Sequence, residues 1–183
     1  MSEIGDLLES YRSQLQLPWD RGIAGPMRVW FAVYEPAQER RLRLHLREFE
    51  IATRSAGRGW ALVDLTDSFA TWMGSHEYRD AYFAEPELMD LALADFAGTA
   101  EQALVTAPEA PDMHQDTVVA MTGVASLFGL TRASPLIEAV APHVRGRLLV
   151  FFPGHYESNN YRLLDARDGW SYLATPITAQ SKG

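Results

Sequence analysis

Residues 27–34 read Met-Arg-Val-Trp-Phe-Ala-Val-Tyr, and Glu35-Pro36 follow them. The run is rich in β-branched and aromatic residues and too short for a core helix, so it reads as a buried strand. Glu35-Pro36 ends it, and the spacing predicts a helix from about Ala37 to Ala56 with Leu42, Leu46, Phe49 and Ala56 facing inward. Gly57-Arg58-Gly59 supplies the stop. The turn joining strand to helix is telling for its chemistry. A nucleotide-binding α/β protein places a glycine-rich loop there, in the Walker or the dinucleotide pattern. Tyr34-Glu35-Pro36-Ala37-Gln38-Glu39 instead offers a proline without an amide donor and two glutamates that repel phosphate.

Working outward, Glu3 to Leu15 has helical spacing, and Trp60 to Leu65 is a second strand. Thr66 or Asp67 is expected to cap a short helix through Met73, and Pro86 to open a helix reaching Leu104. Thr117 to Val124 and Arg147 to Phe152 are the third and fourth strands, separated by a helix from Ser134-Pro135 to about Val144. The end reads as a hairpin, Tyr161 to Asp165 and Ser171 to Thr175, turning over Arg167-Asp168-Gly169. Uniformly apolar strands separated by helices predict a three-layer α/β fold. Its mainly parallel sheet has about five strands and helices on both faces, like a nucleotide-binding fold without its phosphate-binding loop. Residues 1–177 form one domain, and 178–183 a polar tail. The Pro108–Pro111 loop is the one candidate linker.

Composition removes several chemistries. The 183 residues include no cysteine, which excludes thiol nucleophiles, redox pairs and zinc ribbons. The only lysine is Lys182, in the tail, so the body holds neither a Schiff-base nor a P-loop lysine. A net charge of −8 makes direct nucleic-acid binding a poor expectation. No signal peptide and no membrane span are legible, so a cytoplasmic protein is expected.

Ligands of open parallel sheets bind beyond the carboxyl ends of the strands. Asp64, Thr66 and Asp67 form a polar cluster at one such end, able either to hold Mg²⁺ or to serve as acceptor and cap. Ser126, in Gly123-Val-Ala-Ser-Leu-Phe-Gly129, lacks the glycines of a nucleophile elbow and reads as a turn residue. The five histidines show no metal spacing, and only His155 stands beside a strand end. The densest polar run follows it. Tyr156, Glu157, Asn159, Asn160, Tyr161, Arg162, Arg167 and Trp170 are the candidate interaction surface, rich in the residue types of interface hot spots. Tyr78-Arg79-Asp80-Ala81-Tyr82-Phe83 is a second aromatic patch, either a buried anchor or partner-facing.

Several strings stand together in a known pattern. They are Phe49-Glu-Ile-Ala-Thr53, Gly59-Trp60, Asp64-Leu-Thr-Asp67, Tyr82-Phe-Ala-Glu-Pro-Glu-Leu88, Gly123 to Gly129, Arg145 to Gly154 and Tyr156 to Trp170. The chain resembles BrxB, a small protein family of the bacteriophage exclusion (BREX) defence system of bacteria, over about Leu7 to Ile177. The resemblance implies an accessory role in antiviral defence alongside other BREX proteins, with the phosphatase-like protein PglZ as the expected partner. It implies no catalytic residue, no metal ligand and no cofactor. A non-catalytic adaptor is the expectation, with homodimerisation left open and enzyme status leaning to no. Two alternatives remain. One is a degenerate nucleotide-binding protein or weak metal-dependent phosphoryl-transfer or nuclease enzyme using Asp64, Asp67 and Glu157; the other is a DNA-contacting subunit.

Overall fold

The computed structural model describes residues 2–107, 113–166 and 169–179. The strand at the centre of the reading, β1 (Val29–Tyr34), is buried along its whole length. Its side chains alternate between two cores, as the pleat requires. Val29, Phe31 and Val33 join one, and Trp30, Ala32 and Tyr34 the other. On the second face lie α1 (Glu3–Leu15) and α2 (Glu39–Ser55), which contribute Ile4, Leu7, Tyr11, Leu42 and Phe49. On the first lie α5 (Met89–Thr106) and α6 (Ala133–Val140), contributing Phe96, Leu104, Leu136 and Ile137. A sheet covered on both faces has no reason to alternate polarity, which explains the uniformly apolar strands.

The remaining strands are β2 (Gly59–Asp64), β3 (Thr117–Thr122), β4 (Arg147–Glu157), β5 (Asn160–Leu163), β6 (Trp170–Ser171) and β7 (Thr175–Thr178). The main sheet runs β2-β3-β4-β1-β7, and every pairing along it is parallel. This is the expected three-layer α/β architecture. Two short helices, α3 (Ser68–Gly74) and α4 (Arg79–Ala84), link β2 to α5.

The carboxyl-terminal third departs from expectation. β4 does not stop at Phe152. It continues to Glu157, leaving its parallel neighbours and pairing antiparallel with β5, from Gly154↔Leu163 to Glu157↔Asn160. This unexpected hairpin turns at Ser158-Asn159, both with positive φ (51° and 62°), the geometry of a type I′ turn, while the expected antiparallel pairing of β5 with β6 is also present, Asn160↔Ser171 and Tyr161↔Trp170. Arg167-Asp168, the expected turn, lie outside the described residues. Residues 175–178 leave the hairpin altogether and pair with β1 as an edge strand that tolerates Pro176.

At the amino ends of the strands, Trp19 lies between two guanidinium groups, Arg58 at 4.3 Å and Arg147 at 4.4 Å from its ring centre. Arg147 is buried and donates to the Asp20 carbonyl at 2.7 Å. Its burial, reinforced by nearby Arg28, lowers its pKa. This cation sandwich ties the loop after α1 to the start of β4.

Candidate functional site

The chain leaves β1 toward the α2 face, whereas β2, β3 and β4 lead onward to elements packed on the α5–α6 face. The switch between β1 and β4 opens a crevice at their carboxyl ends, where ligands of such sheets bind. A cleft of about 590 Å³ lies there, lined by Glu3, Tyr34, Glu35, His155, Glu157, Arg162 and Asp165 among others. Four carboxylates against one arginine and one histidine give it an acidic wall. Glu35 and His155 approach to 3.9 Å.

The turn after β1 closes the phosphate option by geometry as well as charge. The Glu35 amide, first of the donors a phosphate loop would offer, donates instead to Glu3 Oε1 at 2.8 Å. Pro36 then has no amide hydrogen and begins a single 3₁₀ turn.

The Asp64 cluster belongs to a structural network. Asp64 Oδ1 accepts from the Thr66 amide (2.9 Å) and the Thr66 hydroxyl (2.5 Å), closing an Asx turn. Arg43 donates to Thr66 Oγ1 at 2.6 Å and to Glu39 at 2.8 Å, and lies 3.5 Å from Asp64 Oδ2. Tyr34 donates its hydroxyl to the other oxygen of Glu39. Partial burial opposes ionisation of Asp64, but the Thr66 hydrogen bonds and the Arg43 charge outweigh it and hold its carboxyl below the usual range. Tyr34 is pushed strongly upward by burial and by the Glu39 carboxylate. Asp67 stands at the N-cap position of α3, as expected, but it is exposed and its side chain makes no cap hydrogen bond. Glu157 lies two strands away, on the extension of β4. Among the described residues no three acidic or histidine side chains are grouped to hold a metal.

Ser126 donates to the carbonyls of Leu65 and Gly123, a turn role. Gly123 has φ +77°, and a Cβ there would lie 2.5 Å from the Thr66 amide nitrogen. The close approach of the two strand-end loops therefore needs glycine.

The candidate surface is divided by the β4–β5 ladder. Side chains alternate, so the cross-strand pairs His155↔Arg162 and Glu157↔Asn160 present one polar face. His155, Glu157, Asn160 and Arg162 are exposed on it, with Asn159 at the turn. The opposite face carries Tyr156 and Tyr161 into the core. Tyr161 is 1% exposed and packs edge-on to Phe31, centroids 4.4 Å apart. Its place on an interaction surface is therefore corrected: it anchors the hairpin from beneath. Tyr156 is half-buried, and its hydroxyl donates to Asn159 Oδ1 at 2.8 Å, bracing the turn. Trp170 is half-buried against Phe31 and Tyr172 and donates to Glu138 at 2.8 Å. Behind the hairpin a second cavity of about 200 Å³ is lined by Phe128, Arg132, Phe152, Tyr161 and Trp170. Arg167 lies outside the described residues. His155 joins the face by register alone, a placement the sequence suggested only by nearness to a strand end.

Fold and site define a three-layer parallel α/β domain whose first strand-to-helix turn is not a phosphate loop and which carries a polar hairpin beyond the carboxyl ends of its strands. Comparison with known proteins finds no match, whether to a family model, a curated protein or a solved structure. Among the described residues, no helix is long and apolar enough to cross a membrane.

Proposed function

We propose that this chain is a non-catalytic adaptor of a BREX-type antiviral assembly, docking on the phosphatase-like component through the outer face of the β4–β5 hairpin. The resemblance of residues 145–170 to the BrxB family supports the setting. The observation that carries the molecular role is the hairpin itself. It holds His155, Glu157, Asn160 and Arg162 in fixed register beside a cleft whose leading amide is already satisfied by Glu3. Arg162 supplies a planar five-donor group suited to a partner carboxylate or backbone carbonyl, and the acidic cleft beside it suits a partner's cationic side chain. A preformed ladder loses little entropy on binding, which suits this face to recognition.

Co-expression of the tagged chain with the other components of its defence operon tests the reading. The phosphatase-like protein is expected to co-purify without added nucleotide, and Arg162→Glu with Asn160→Lys to abolish recovery while leaving the unfolding transition unchanged. Recovery of the complex with both substitutions present, or a requirement for Mg²⁺ and ATP, would overturn it.

A further inference from the structure

Residues 75–91 contain no buried side chain, although α4 and a 3₁₀ turn at Pro86–Leu88 lie within them. The ring contacts of the arm are those of His76 with Trp72, Tyr78 and Tyr82, and they do not account for its other exposed apolar residues. Yet this arm displays Tyr78, Phe83 (67% exposed) and Leu88, and α5 begins with Leu91 at 85%. Around them stand five carboxylates, Glu77, Asp80, Glu85, Glu87 and Asp90, against the single cation Arg79. The arm thus offers an apolar patch in an acidic rim.

A patch of opposite charge lies on the outer face of α2. Leu44, 82% exposed, and Ile51 are seven residues apart and point away from the core. Arg40, Arg41, Arg47 and Arg54 surround them, all exposed, with the Glu48 carboxylate between the two and Arg54 paired to Glu50, so the patch stays net positive. Among the described residues Arg40, Arg41 and Arg47 make no ion pair, nor do Glu77, Glu85, Glu87 and Asp90. The two patches flank β2 along the chain, α2 before it and the arm after it. They cannot meet within one molecule, because α2 belongs to one core and α3, which leads into the arm, packs on the other.

We propose that a second copy of this chain unites them. β2 is an edge strand of the sheet. A two-fold axis running alongside β2, parallel to it, turns the second copy face over. The arm of each copy then meets the α2 face of the other, and both contacts form at once in a closed dimer. Apolar residues pack at the centre of each contact and opposite charges pair at its rim.

Charge exchange tests this on the purified full chain, without any other protein, so its outcome is independent of the hairpin reading. Sedimentation velocity should show a concentration-dependent dimer that weakens at high salt. Variant one carries Arg40→Glu and Arg47→Glu, and variant two carries Glu85→Arg and Glu87→Arg. All four positions are exposed, so folding is preserved. Each variant alone should dissociate at least about tenfold more readily than the parent. Mixed together they should recover a dimer containing one of each, because both contacts again join opposite charges. A chain that stays monomeric in low salt, or a dimer that neither variant weakens, or one that the mixture does not restore, would overturn the proposal.

Discussion

The hydroxyl of Tyr161 donates to the Ala174 carbonyl at 2.9 Å, and its ring lies against Phe31, Phe152, Tyr156 and Trp170. Truncation to alanine should therefore cost about 3–5 kcal/mol in urea unfolding, and Tyr161→Phe about 1–2, as one buried hydrogen bond is lost. Arg162→Ala, one residue on but on the open face, should change stability by less than about 0.5 kcal/mol. Gly123→Ala should cost more than about 1 kcal/mol, since its left-handed backbone and the nearby Thr66 amide both exclude a Cβ. Asp64 adds a pH dependence whose sign is set by its lowered carboxyl. The folded state holds the ionised form more tightly than the unfolded chain does, so the contribution is complete above the unfolded carboxylate range. It is lost as pH falls through the folded value. Asp64→Asn should accordingly flatten part of the acid limb of the stability profile, read as the unfolding midpoint against pH.

At the scale of elements, what was legible depended on who supplies the signal. β1 and β3 announce themselves because both faces of the sheet are covered there and every residue is buried, and α2 because its buried residues recur at helical spacing. β4 hid its length because its second half changes neighbours, and Pro153 with the polar residues after it resembles an ending. The sharp turn at Ser158-Asn159 lacks the glycine that marks most type I′ turns, so the β4–β5 hairpin was not expected, whereas the later one, between β5 and β6, was. α4 left no periodic trace, having no buried side to create one. β7 is specified by its place beside β1 and by Ile177 in the core, neither visible locally. The cation sandwich around Trp19 joins residues far apart in sequence, and no local pattern indicates it. Gly154→Ala tests the hairpin as a unit. A Cβ there would lie 2.0 Å from the Arg162 carbonyl oxygen, so β5 should detach and hydrogen exchange should accelerate across residues 154–163 while β1 stays protected.

For the molecule as a whole, the described residues of the polar run after β4 lie beyond the carboxyl end of the sheet, and the fold sorts them by face. Alternation sends Tyr161 inward and brings His155 out beside Arg162, a division that depends on register. The Asp64 group, also at a strand end, is absorbed by Arg43 and Thr66 into holding α2 to the β2 end. What remains free to act is the hairpin face and the acidic cleft next to it. The proposed role of this face is recognition of a protein partner. Calorimetric titration of the purified chain with the phosphatase-like protein proposed as its partner is the decisive measurement. Binding should be nucleotide-independent, and Arg162→Glu should weaken it by about a hundredfold while Tyr156→Phe leaves it nearly intact. Binding of equal strength by the Arg162→Glu chain, or no binding by the parent, would contradict it.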